Sequence, residues 1–151
     1  MPVKVVFVGN PLGGDDGIGP RLYTELRDRP ELKEFQILEF GVVGFDLISY
    51  VEDDDRLIIV DAVHSKGIIG EVVVLKEKDL SAVSPVSMHD FGIEQTAAML
   101  RAYKPDISDV CVVGITVNNL KAFHDGLSDE ITGQIPRIKE EVVRQILNCA
   151  K

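Results

Sequence analysis

Three places in the sequence hold side chains able to do chemistry. The first is Gly9-Asn10-Pro11-Leu12-Gly13-Gly14-Asp15-Asp16-Gly17-Ile18-Gly19. It is glycine-rich, as a phosphate loop is, yet matches neither GxGxxG nor the P-loop pattern. Asp15 and Asp16 stand where a helix should begin, and a phosphate there needs bare N–H groups. The sign of the charge therefore selects a cation or a proton-transfer group. The plainer reading is that one aspartate caps the helix while the glycines shape the turn. Two neighbouring aspartates can do both jobs, with Asp15 capping and Asp16 projecting into a cleft. The second place is Asp61, at the end of a strongly apolar run, either a turn former or a ligand. The third is His89, in Ser87-Met88-His89-Asp90, just ahead of a helix. Two carboxylates and an imidazole suit a borderline divalent ion such as nickel or zinc. The remaining coordination positions would stay open to water or substrate. His64 reads as an exposed loop residue or as support for Asp61, and His124 as an exposed loop residue.

These residues need a scaffold, and strand-like and helix-like segments alternate along the chain. Val3–Gly9 is a continuous β-branched run of the kind a strand buried on both faces requires. Asp16–Arg29 follows as a helix with Leu22 and Leu26 on its apolar stripe. Phe35–Gly41 is a second strand and Phe45–Val51 a short helix. Asp55–Val63 is the most hydrophobic run and reads as a central strand. Gly70–Glu77 is a strand nearer an edge. Only Ser65–Ile69 precede it, too few residues for a parallel crossover, so it is antiparallel. Phe91–Tyr103 reads as a helix and Asp109–Val117 as a fifth strand. Ser128–Asn148 reads as a terminal helix with Ser128 as its N-cap and a break at Pro136. One domain spans residues 1–151: a three-layer α/β/α sandwich around a mostly parallel mixed sheet of about five strands, one antiparallel. In such sheets sites gather at the carboxyl ends of the strands. Asp16 follows strand one and Asp61 ends strand three, and these strands are commonly neighbours.

Composition narrows the function. Lys and Arg number 16 against 25 Asp and Glu, a formal net charge of −9. A nucleic-acid binder needs a basic face, and docking on an anionic membrane needs the same. Both are excluded as expectations. No apolar run approaches the roughly 18–20 residues of a membrane span. The N-terminus lacks a signal-peptide cleavage pattern, and the two cysteines, Cys111 and Cys149, form no CxxC pair. A reduced, cytoplasmic protein is expected. Cys111 reads as a small core residue and Cys149 as inert. The acidic run Glu52-Asp53-Asp54-Asp55 reads as a solvated turn.

The first loop resembles the signature of the [NiFe]-hydrogenase maturation endopeptidases. Ile58–Lys66, Ser87-Met88-His89-Asp90-Phe91-Gly92, Val113-Gly114-Ile115 and Gly126-Leu127-Ser128 follow in that family's order, so the resemblance covers nearly the whole chain. It implies a metal-recognition site of Asp16, Asp61 and His89. Two routes stay open for the chemical step: the bound nickel polarises a carbonyl or activates water, or Asp15 or Asp16 handles protons while the metal only positions the substrate. It also implies removal of a C-terminal extension from the hydrogenase large-subunit precursor after nickel insertion. The nickel arrives with the substrate, and other divalent cations can occupy the site in vitro. The Glu39–Gly44 loop, with Gly41 and Gly44, would touch the substrate. Departures lie there and beyond: Glu39 where Asp is frequent, Val42 near an expected Thr, and Thr116-Val117 where Pro is common.

Two rivals remain. A phosphoreceiver-type signalling module also has an acid pair after strand one, an acceptor Asp after strand three and a late Thr, which Thr116 could supply. Here the acid pair follows a long glycine loop, and Lys104-Pro105 precedes the fifth strand instead of following it. Another small hydrolase on a related α/β sheet, such as one acting on peptidyl-tRNA, is disfavoured by the acidic surface.

Overall fold

The computed structural model describes residues 3–41, 45–80, 98, 100–118 and 126–151. Five strands form its sheet: β1 (Val3–Val8), β2 (Gln36–Phe40), β3 (Arg56–His64), β4 (Val72–Lys76) and β5 (Asp109–Val117). Their spatial order is β2-β1-β3-β5-β4. All neighbours are parallel except β4, which runs antiparallel to β5 at the sheet edge. The helices are α1 (Ile18–Leu26), α2 (Phe45–Tyr50), α3 (Glu77–Leu80), α4 (Asp129–Thr132) and α5 (Ile135–Cys149). Residues 98 and 100–103 are also helical, within the expected Phe91–Tyr103 helix. The rest of that helix lies outside the described residues.

Alternation along the central strands makes two cores. Val5, Phe7, Ile58, Val60, Val113 and Ile115 meet Ile18, Leu22 and Leu26 of α1 and Ile138, Val142 and Ile146 of α5. Their strand neighbours Val6, Val8, Leu57, Ile59, Val110 and Val112 meet Leu47, Val51, Leu100 and Ile107 on the other side. Strands apolar at every position thus acquire two covered faces, which is the three-layer α/β/α sandwich.

The helix expected over Asp16–Arg29 is divided. Gly14–Gly17 form a 3₁₀ turn, and α1 begins at Ile18. The terminal helix breaks at Gly133-Gln134, ahead of Pro136, which sits in the first turn of α5. A proline there gives up an N–H that has no partner within the helix.

The acidic run corrects the expectation of a solvated turn at one position. Glu52, Asp53 and Asp54 are exposed, but Asp55 is buried. Its Oδ2 lies 2.7 Å from Nζ of Lys4, itself buried, and accepts the Glu52 N–H at 2.7 Å. Lys4 also donates to the Tyr50 carbonyl at 2.5 Å. The ammonium lies on β1 and the carboxylate just before β3, so the pair spans two adjacent strands.

Glycine sets the position of α1. A β-carbon on Gly19 would lie 1.9 Å from the Val8 carbonyl oxygen, and one on Gly9 would lie 2.1 Å from the Asp16 carbonyl oxygen. Both clashes are with backbone, so only a bare Cα lets the helix return this close to the strand it leaves.

Two expectations follow for stability. Asp55→Ala leaves the Lys4 ammonium buried without its counter-charge and should cost about 3–5 kcal/mol in urea unfolding. Lys4→Met combined with Asp55→Leu should recover most of that loss; a double variant no more stable than Asp55→Ala would contradict it. Gly19→Ala should cost roughly 3 kcal/mol or more, because the overlap is backbone against backbone. A melting temperature equal to the parent's would show that α1 can shift freely.

Candidate active site

The strand order places a topological switch point between β1 and β3. From β1 the chain moves outward to β2, then crosses back over β1 to β3. The loops leaving β1 and β3 diverge there and open a crevice at their carboxyl ends. The glycine loop and Asp61 both lie at that edge.

The loop is built by its own first polar residue. The Asn10 side-chain oxygen accepts the Leu12 N–H at 2.9 Å, and the Asn10 carbonyl accepts the Gly13 N–H at 2.9 Å. This folds the chain into consecutive turns of the kind asparagine favours. The Asn10 N–H donates to Oδ2 of Asp16 at 2.8 Å. Asp16 is thereby oriented across the loop, 8% exposed.

Asp15 is directed elsewhere. Its Oδ1 accepts the Ser128 N–H at 2.7 Å and its Oδ2 accepts the Ser128 hydroxyl at 2.8 Å. The Ser128 oxygen in turn caps α4 through the Ile131 N–H at 3.3 Å. Asp15 is 1% exposed and ties the glycine loop to a segment 113 residues away. Neither aspartate caps the helix it introduces: Gly13 and Gly17 occupy the cap positions.

Asp61 lies on β3 opposite Gly114 of β5, one residue past the last β1–β3 pairing of Phe7 with Val60. Its Oδ1 accepts the Ala62 N–H at 2.8 Å where the β1 ladder has ended. The side chain is 9% exposed. The 3₁₀ turn carrying Asp15 and Asp16 packs against β3, so two carboxylates of one sheet edge share a neighbourhood.

Gly41 belongs to the same edge. It follows Phe40, whose carbonyl accepts the Gly9 N–H at 3.2 Å, and a β-carbon on Gly41 would meet no atom of the described residues within 4 Å. Gly44, His89 and His124 lie outside the described residues. Among the described residues no three His, Cys, Asp or Glu side chains gather closely enough to hold a metal ion. Asp16 and Asp61 are thus the described part of the expected ligand set.

Two further residues bear on the site. His64 is the last residue of β3 and half-buried, not a loop residue, and its Nδ1 is buried without a hydrogen-bond partner among the described residues. Thr116 is buried, donating to the Ile68 carbonyl at 2.7 Å and accepting the Glu71 N–H at 2.8 Å. The hydroxyl a phosphoreceiver would need facing its acceptor aspartate is engaged with the loop before β4. An open groove also runs beside the glycine loop, lined by Pro11, Gly17, Pro20, Arg21 and Leu127.

Sequence reasoning missed Ser128 as the partner of Asp15. Its signal was only that of a helix cap, and nothing in the local pattern points across 113 residues.

Known proteins agree with this architecture. The family model for hydrogenase maturation proteases matches residues 20–145. The Hydrogenase 2 maturation protease of Escherichia coli K12 is 29% identical over 147 residues, spanning 95% of this chain and 89% of that one. The hydrogenase expression/formation protein HupD of Rhodobacter capsulatus is 27% identical, spanning 95% and 70%. Among solved structures, the hydrogenase maturating endopeptidase HybD from E. coli superposes with a TM-score of 0.74 at 27% identity, covering 98% of this chain and 93% of that one. The [NiFe] hydrogenase maturation protease HybD of Thermococcus kodakarensis shares the fold, with a TM-score of 0.72 at 24% identity and coverage of 96% and 99%. With the model matched over most of its length and its switch-point crevice carrying Asp16 and Asp61, the chain belongs to the hydrogenase maturation protease family.

Proposed function

We propose that this protein cleaves the C-terminal extension from a [NiFe]-hydrogenase large-subunit precursor once nickel has been inserted. The observation that carries the reading is the position of Asp16 and Asp61 at one sheet edge, in a chain of this family. In this reading Asp16, Asp61 and His89 engage nickel that belongs to the substrate. Carboxylate and imidazole donors suit a borderline divalent ion. A partial ligand set holds a free ion weakly and relies on donors of the precursor to complete it. Recognition of the substrate and of its metal-loaded state then become one event.

The substrate's metal supplies a Lewis acid near the scissile carbonyl. This chain holds and orients the substrate and moves the proton. Asp15 spends both oxygens on Ser128, so proton handling falls to Asp16, whose Oδ2 is oriented by the Asn10 N–H. Asp15 contributes by fixing the loop that presents Asp16. Gly41, where a β-carbon would meet no described atom, leaves room for an extended substrate backbone, and Gly44 is assigned to the same contact. The precursor is the partner expected; neither nucleic acid nor a membrane surface is. No helix among the described residues is long and apolar enough to cross a membrane.

Asp16→Asn and His89→Ala should each reduce processing by at least about a hundredfold. Circular dichroism of the same samples should match the parent, since neither change removes an apolar side chain. A folded double variant that trims the precursor at the parental rate would eliminate this ligand assignment.

Nickel dependence has its own test. Chelator-treated protein mixed with nickel-loaded precursor should lose the tail from the precursor, as read by intact mass. Nickel-soaked, desalted protein mixed with metal-free precursor should leave the tail in place. Efficient trimming in the second mixture would instead mean a resident catalytic metal.

A further inference from the structure

The two cysteines, distant in sequence, meet in the fold. Cys111 is the third residue of β5 and Cys149 the last of α5. Both are free and buried, and their sulfurs lie 2.6 Å apart. That separation discriminates among the roles a cysteine pair can have. Heavy atoms packed merely as apolar neighbours settle at about 3.5–4.0 Å. Two thiolates on one zinc ion, each about 2.3 Å from the metal in tetrahedral geometry, stand about 3.8 Å apart. A disulfide needs about 2.05 Å. The pair is therefore too close for a shared metal and within about 0.6 Å of a covalent bond.

The surroundings hold the sulfurs in place. The Arg56 guanidinium donates to the carbonyls of Cys149 at 2.6 Å, Ala150 at 2.8 Å and Lys151 at 3.0 Å. It thus pins the end of α5 beside the start of β3, next to β5. Cys111 faces α5 from within the larger core.

We propose that Cys111 and Cys149 are a disulfide-forming pair, oxidised by a small-molecule disulfide into a staple between β5 and α5. The chemistry is ordinary thiol–disulfide exchange, written with Cys149, at the end of α5, attacking first. The hydrogen bond shared with Cys111, with the nearby charges of Lys76 and Arg56, lowers the Cys149 thiol against burial and Asp109. The hydrogen bond to Cys149 and burial push the Cys111 thiol up. Cys149 as thiolate attacks the oxidant disulfide RSSR, forming Cys149–S–SR and releasing RS⁻. Cys111 then loses its proton and attacks the Cys149 sulfur, breaking the mixed disulfide and releasing a second RS⁻. Two protein thiols are oxidised and one RSSR is reduced to two RSH. The bond closes a loop that contains α4, Ser128 and most of α5. It lies at the opposite end of the sheet from Asp16 and Asp61, so it acts on stability and not on the site's chemistry.

The test is to incubate the full chain with oxidised glutathione, denature it in acid, label with a maleimide and measure intact mass. The pair should take up no maleimide and lose about 2 Da relative to the reduced protein. The oxidised protein should melt about 10 °C higher, from the entropy of the closed loop, and dithiothreitol should reverse both changes. Cys149→Ser and Cys111→Ser should each keep one reactive thiol and show no upward shift on oxidation. Two maleimides on the oxidant-treated parent, stable glutathione adducts or intermolecular dimers would overturn the pairing. A bond that forms without raising the melting temperature would overturn its role as a staple.

Discussion

Gly19 passes so close to Val8 that the helix after the first strand rests on the strand's own backbone. A side chain at either Gly19 or Gly9 would overlap a carbonyl oxygen by more than an adjusting rotamer could relieve. This contact decides where α1 starts, and so where the residues before it must lie. Between Gly9 and Gly19 the chain has to reverse within a short span, and the 3₁₀ turn is the tight form that fits. That turn sets Asp15 and Asp16 at adjacent positions of a narrow coil, where they diverge. One reaches Ser128 and joins the loop to α4; the other folds back on Asn10 at the sheet edge. Two identical side chains acquire different surroundings from a single close approach of backbone.

Much of this was legible in the residues. Long apolar runs rich in valine and isoleucine mark β1, β3 and β5 as strands covered on both faces, and the half-buried β2 and β4 also fall within the segments expected for them. The five residues Ser65–Ile69 cannot carry a crossover helix, and β4 is indeed antiparallel. The adjacency of β1 and β3, which brings the glycine loop and Asp61 to one edge, follows from the usual order of doubly wound sheets. What could not be read is tertiary. Asp55 looks like its acidic neighbours until Lys4, half a hundred residues earlier, is laid against it. Asp15 looks like a helix cap until Ser128 arrives from the far end of the chain. Cys149 looks inert until α5 folds its last residue onto β5. In each case one partner's local pattern is complete without the other, so nothing in it signals the pairing. His89 and Gly44, which the sequence selects for the site, lie outside the described residues.

The structure distributes its fastenings unevenly along the sheet. At the amino ends of the parallel strands, cations do the work: Lys4 holds Asp55 and the Tyr50 carbonyl, and Arg56 holds the last three carbonyls of the chain. Arg101 there joins Glu77 to the carbonyls of Pro105 and Ile107. At the carboxyl edge Asp15 is held by a backbone N–H and a hydroxyl, and Asp16 and Asp61 each accept a backbone N–H. A backbone N–H orients a carboxylate without bringing a charge of its own.

This polarity has a mechanical consequence. Ion pairs at the amino ends fix the strand positions, and the glycine loop at the other end is held by the hydrogen bonds of Asn10, Asp15 and Asp16. The Cys111–Cys149 contact belongs to the fastened end by the same logic. A covalent bond there would stiffen the frame on which Asp16 and Asp61 are carried and would place no new restraint on the crevice between β1 and β3.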